Sequence, residues 1–156
     1  ALIDTFEGAR IVVMMRNPSE CIPSVLKLVE ISWKGKGWAL DDYARSLGML
    51  TEVSFESFHH PAAVLARNPN TRHSIVDYRQ LTAEPRAAIQ QVYRDLDMPM
   101  SAEYDAFLRT QEEREKRHST SFRYSMEEFG LSHEKVEQAL GDFYTTHGWP
   151  RQAANG

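Results

Sequence analysis

The chain has a single cysteine, Cys21, so no internal disulfide framework exists and the usage suits a reducing compartment. Its six histidines are scattered, and the adjacent pair His59 and His60 would point in different directions on a helix, so no metal-ligand spacing arises. No apolar run is long enough to span a bilayer, and no basic-plus-apolar leader is evident at the start. Basic charge is also short: 18 Lys and Arg stand against 22 Asp and Glu, a formal net charge of −4. No global basic field is available for nucleic acid, and any anion site must be local. Internal repeats and low-complexity blocks are absent as well. What is present is an ordinary globular mix, 42% apolar and 26% charged over 156 residues, enough for one domain with a core of normal size.

The most informative stretch runs from Ala9 to Val25. Ile11 to Met15 is a short apolar run rich in β-branched residues, the pattern of a strand buried on both faces in a parallel sheet. Asn17-Pro18 marks a turn, and Ile22, Val25, Leu26 and Val29 follow at helical steps. Arg16 is therefore expected at the carboxyl end of a buried strand, just before a helix N-terminus, where open α/β sheets bind ligands. A helix start offers free N–H groups and partial positive charge. Pro23 is expected in the first helical turn, which would bring Ser24 to the same end, so that Arg16 and Ser24 hold one phosphate between them. A salt-bridged strand-end arginine and a plain N-terminal serine fit the spacing equally well.

Ahead of this stretch, Leu2, Ile3 and Phe6 are apolar at helical spacing, which fits a short N-terminal helix or the end of an element that began earlier. Ser32 to Trp38 reads as a glycine-containing connection with aromatic anchors. A helix is expected from Asp41 or Asp42, with Leu40, Tyr43, Leu47, Leu50 and Val53 at helical steps, ending near His60 before Pro61. A second strand is expected over His73 to Tyr78. Thr82 would cap the next helix, with Glu84 and Pro85 in its first turn and Ile89, Val92, Tyr93 and Leu96 as its apolar stripe. Ser101 caps a further helix whose Tyr104, Phe107 and Leu108 face inward. Glu112 to Arg117 is a solvated mixed-charge face. Ser132 caps the last helix, which buries Val136, Ala139, Leu140 and Phe143 and stops at Gly148. The fold class is α/β, helix-rich with few strands: one domain over 1–150 and a disordered tail over 151–156.

Arg16-Asn17-Pro18 followed by Pro23-Ser24 resembles the 3′-phosphate-binding segment of sulfotransferases that use 3′-phosphoadenosine 5′-phosphosulfate (PAPS). Val76-Asp77-Tyr78-Arg79-Gln80-Leu81 with Glu84-Pro85 is similar to the family's strand–tyrosine–helix segment. Leu96-Asp97-Met98-Pro99 resembles its exit from that helix, and Phe122-Arg123-Tyr124-Ser125 with Phe129-Gly130-Leu131 resembles the closing segment of many bacterial members. Order and spacing together make the likeness specific. It implies a partial P-loop-like parallel sheet flanked by several helices. It also implies PAPS as sulfuryl donor, with Arg16 and Ser24 on its 3′-phosphate, Tyr78 against adenine and Arg123 as a further phosphate ligand.

The acceptor would be a small molecule, carbohydrate or lipid bearing a hydroxyl or amine, and the location cytoplasmic. Gln80 stands where many relatives carry an acid. The family's 5′-phosphosulfate loop and catalytic base lie ahead of the arginine segment. The likeness is therefore to the C-terminal half of the family, and no catalytic residue is assigned. A sheet without its first strand would expose an edge and apolar surface, which predicts a homo-oligomer or a partner chain completing the sheet. Two other readings fit the same residues: a kinase-like nucleotide-binding relative, and a non-catalytic helical interaction module.

Overall fold

The structure, a computed structural model, describes residues 2–115 and 126–149. The expected tail over 151–156 and the Arg123 segment lie outside them. Within the expected domain, tertiary contacts group the chain into two compact units, residues 1–16 with 61–121 and residues 17–60 with 122–156. The division at residues 16 and 17 falls between Arg16 and Asn17.

The first unit is built on two parallel strands, β1 (Ile11–Met15) and β2 (His73–Asp77), with Ile11 opposite His73 and Met15 opposite Asp77. A short helix α1 (Leu2–Thr5) precedes them. Helices α4 (Tyr78–Ala83), α5 (Pro85–Asp95) and α6 (Ala102–Glu115) follow. Aligned residues share a face of a sheet, so Val12, Met14, Ser74 and Val76 point to one side. On that side α5 packs against β2: Val76 clusters with Val92 and Leu96, and Leu81 closes the cluster. The Ser74 hydroxyl donates to Asp95 Oδ2 at 2.6 Å. The Arg10 guanidinium donates to the Leu96 carbonyl at 2.9 Å, tying the approach to β1 to the end of α5.

The expectation that β1 is buried on both faces needs correction. Val12 and Met14 are 44% and 52% exposed. The sheet has two strands among the described residues, and the helix layer on this side lies over β2. The apolar run marks the strand correctly because β-branched residues favour extended backbone, whereas the covering of each face depends on neighbours that the run does not contain.

Helix α6 is capped by Ser101, whose Oγ accepts from the Tyr104 N–H at 3.1 Å. It is fastened to α5 by Asp105, which takes a bidentate pair from Arg86 (2.8 and 2.6 Å) and a third bond from Gln90 (2.7 Å). Tyr104 and Phe107 were expected inside; they are 37% and 53% exposed. Their rings instead form a surface ladder with Tyr93, the centroids 5.7 and 6.2 Å apart. The α5–α6 contact thus has a polar part, Arg86 with Asp105, and an aromatic part at its rim, Tyr93 with Tyr104, from which Phe107 extends along the surface.

The second unit contains α2 (Pro18–Gly35), α7 (His133–His147) and most of α3 (Leu40–Arg67). Its core includes Ile22, Leu26, Tyr43, Phe58, Val136, Leu140, Phe143 and Tyr144. Phe58 and Phe143 meet edge to face at 5.9 Å. Ala139, expected inside, is exposed. Ser132 caps α7 through the Lys135 N–H at 3.2 Å, and Gly148, at φ 57°, closes it in the left-handed conformation that suits glycine. Trp33 stacks near Trp38 and Tyr43, anchoring the connection after α2. Helix α3 does not stop before Pro61 but carries it inside. An interior proline removes one ladder bond and costs about 3 kcal/mol; here it stands where the chain passes from one unit to the other.

The Arg86 guanidinium, with help from the Gln90 amide, holds the Asp105 carboxyl down from its ordinary 3.8 to about 2. A carboxyl whose folded pKa is depressed stabilises the fold above its unfolded pKa, and that contribution disappears as pH falls through the folded one. Stability should therefore fall between pH 3.8 and about 2. Asp105→Asn should flatten this acid limb, as read from urea midpoints at about pH 5 and about pH 2.5.

Candidate functional site

The carboxyl ends of the two strands meet in the first unit. Met15 lies opposite Asp77, so the next residues, Arg16 and Tyr78, leave the ladder side by side. The Arg16 guanidinium carbon sits 4.7 Å from the centre of the Tyr78 ring, a cation–π contact. No loop separates β2 from the next helix; Tyr78, expected as the last residue of the strand, is the first residue of α4. Asp77 makes this abrupt change of backbone feasible by capping α4, its Oδ1 accepting from the Arg79 N–H at 2.8 Å. The same carboxylate pairs with the Arg79 guanidinium. Thr82, expected as a cap, lies inside α4 and donates to the carbonyls of Tyr78 and Arg79. The helix that Thr82 was to cap, α5, starts at Pro85 with Glu84 at its cap position and no side-chain cap hydrogen bond; proline at the first helical position leaves one donor fewer to satisfy.

The start of α2, in the second unit, differs from expectation in two respects. The helix begins at Pro18, with Asn17 as its cap, and Pro23 lies inside it. Ser24 is thus about 9 Å along the axis from the first residue, at a rise of about 1.5 Å per residue, and does not sit at the helix end. Pro23 forfeits the bond to the Ser19 carbonyl, and its fully buried ring offsets part of that loss.

The helix start, moreover, does not present the free N–H groups expected of it. Pro18 has none. The Ser19 N–H donates to Asn17 Oδ1 at 3.0 Å and to the Tyr144 hydroxyl at 3.3 Å. Those of Glu20 and Cys21 donate to the Asn17 carbonyl at 3.0 and 2.9 Å. An anion at this end must rely on side chains. Farther along α2, Glu30 binds Lys34 and Lys27, which hold its carboxyl below the usual range; Lys27 also meets Glu128.

Of the four residues proposed from sequence, then, Arg16 and Tyr78 are in contact, Ser24 belongs to the second unit, and Arg123 lies outside the described residues. Sequence reasoning missed Asn17 as a cap, and Ser19, Tyr144 and Arg79. The Asn-Pro pair was the available signal for the first, because an Asx cap followed by proline at the first helical position starts a helix without a turn between. A separate shallow cavity of about 490 Å³ lies between α5 and α6, lined in part by Tyr93, Arg94, Met98 and Met100. Among the described residues no group of three or more His, Cys, Asp or Glu side chains is placed to hold a metal ion. None of the described helices is long and apolar enough to cross a membrane.

Residues 1–102 match the sulfotransferase family. The chain belongs to that family. The match covers β1, β2 and the helices through α5, and so includes Arg16, Ser24 and Tyr78. A crystal structure of a sulfotransferase from Mycobacterium avium superimposes with a TM-score of 0.66 at 18% identity, over 93% of this chain and 38% of that one. At that identity the likeness establishes the fold, which is the helix-rich α/β arrangement expected of a sulfotransferase. This sulfotransferase-family chain therefore spans 38% of the length of the solved relative. No curated protein matches the sequence.

The Arg16–Tyr78 contact should be measurable by itself. Replacing Tyr78 with leucine should lower stability by about 0.5–1 kcal/mol, the usual worth of such a contact near the surface. Tyr78→Phe should keep most of it, since the ring and not the hydroxyl faces the cation. Equilibrium urea unfolding of the two variants separates these outcomes.

Proposed function

We propose that this chain supplies the 3′-phosphoadenosine-binding part of a PAPS-dependent sulfotransferase. The observation that carries the reading is the Arg16–Tyr78 pair at the carboxyl ends of two parallel strands, in a chain of the sulfotransferase family. A guanidinium suits a phosphate through its planar fork, and the tyrosine ring suits a base. A cation and an aromatic face in one contact are a donor set that fits a nucleotide carrying an extra phosphate.

In this reading Arg16 holds the 3′-phosphate and Ser24 adds a hydroxyl to the same group. Tyr78 takes the adenine, and Arg123 contributes a second cation. PAPS supplies the sulfuryl group, which passes to a hydroxyl or amine of a small-molecule, carbohydrate or lipid acceptor. The four residues anchor the cofactor away from the transferred group. Binding energy spent there still lowers the barrier by orienting the donor. The general base and the cations on the 5′-phosphosulfate are not assigned to any residue of this chain. A chain with a single cysteine suits the cytoplasm, where such an enzyme would meet its donor.

Calorimetric titration with adenosine 3′,5′-bisphosphate tests the reading. The wild type should bind it more tightly than ADP or ATP, and Arg16→Ala should weaken binding at least about tenfold, the loss of one charge-assisted hydrogen bond to phosphate. Tighter binding of ATP would favour a kinase-like relative instead. Saturable binding that Arg16→Ala leaves unchanged would remove Arg16 from the site.

A further inference from the structure

Three polar side chains are buried together in the second unit: Asn17, Ser19 and Tyr144. Tyr144 comes from α7, and the other two from the start of α2. The protons can be assigned. The Tyr144 hydroxyl donates its one proton to Asn17 Oδ1 at 3.1 Å. The short contact between Ser19 Oγ and the Tyr144 oxygen must then carry the serine proton. The Ser19 N–H donates to both Asn17 Oδ1 and the Tyr144 oxygen. One phenol oxygen thereby accepts from the serine side chain and backbone and donates to the helix cap.

This arrangement does more than fill space. The Tyr144 ring is already packed edge to face on Trp149 at 6.1 Å, a contact that does not use the hydroxyl. Burying three polar side chains is costly unless every bond is made, and a satisfied network selects one geometry over its neighbours. The geometry selected here is the position and rotation of the first turn of α2. Arg16 is joined to this turn by a peptide bond, and Ser24 is carried on the same helix.

We infer that Tyr144 is a positioning residue for nucleotide binding, its hydroxyl fixing the first turn of α2 so that the 3′-phosphate is recognised. The inference rests on the proposed function above and extends it to α7, which lies beyond the residues matched to the family. Burial pushes the Tyr144 phenol above its ordinary pKa, so the hydroxyl keeps its proton, and its donor role, through neutral pH.

The test compares adenosine 3′,5′-bisphosphate with adenosine 5′-monophosphate, which lacks the 3′-phosphate, by calorimetry on the wild type, Tyr144→Phe and Ser19→Ala. Thermal melts are recorded alongside. The wild type should prefer the bisphosphate. Tyr144→Phe should lose about tenfold of that preference, the effect of a displaced phosphate contact, while its affinity for the monophosphate stays within about twofold. A variant that melts earlier yet keeps the wild-type preference would show the hydroxyl to be structural only and overturn the inference. So would equal weakening of both ligands. Should Tyr144→Phe fail to fold, Ser19→Ala decides by the same ratio, because it removes one donor to the phenol and leaves the ring in place. A wild type with no preference for the bisphosphate would overturn the functional reading itself, and this inference with it. A preference that both variants retain overturns the inference alone.

Discussion

The parallel ladder between β1 and β2 governs what the first unit can do. Its register sets Met15 opposite Asp77, so the chain leaves both strands at the same level. Arg16 and Tyr78 become neighbours for that reason, although 61 positions separate them in the sequence. A slip of one residue would turn the alternate side chains to the opposite face and break the contact. The register is held from outside the ladder as well. Ser74 reaches Asp95 and Arg10 reaches the Leu96 carbonyl, so both strands are tied to the same helix, α5.

Each strand is followed by a helix through the same device. Asn17 and Asp77 each accept, through Oδ1, from the N–H two residues on, Ser19 in one case and Arg79 in the other. Such an Asx cap replaces a loop and makes the turn from strand to helix abrupt. The two caps have different secondary duties. Asp77 also neutralises Arg79 on the helix it starts. Asn17 accepts a buried phenol proton from α7. At α2 the donors of the helix start are spent within the protein, and anion recognition there is left to side chains.

Much of the secondary structure was legible because it depends on local chemistry. Ile11 to Met15 is the strand the apolar run indicated, and Ser101 and Ser132 cap the helices they were expected to cap. Pro85 opens α5, and Gly148 closes α7. Two proline readings failed, at Pro23, which is buried, and at Pro61, which is half-buried. Pro23 and Pro61 read as boundaries, because a proline inside a helix forfeits a ladder bond, yet both lie inside helices. Packing of the helix faces outweighs a loss of about 3 kcal/mol, and nothing in the neighbouring residues reports that packing. Tyr104 and Phe107 failed for the converse reason: their spacing describes a helix face, but α5 meets that face only at its rim, through Tyr93, and takes Asp105 as its main anchor.

The sequence by itself determined the two strands, most of the helices and the residue types at the strand ends: an arginine after an apolar strand, an Asn-Pro break after it, and a tyrosine at the end of a second strand. These follow from backbone preference and capping, which act over a few residues. Only the tertiary structure decided which junctions meet. The contact of Arg16 with Tyr78 requires the parallel pairing of two strands distant in the chain, and the burial of Tyr144 against Asn17 and Ser19 requires α7 to pack on α2. Such contacts are set by long-range packing and hydrogen bonding, whose partners no local pattern specifies.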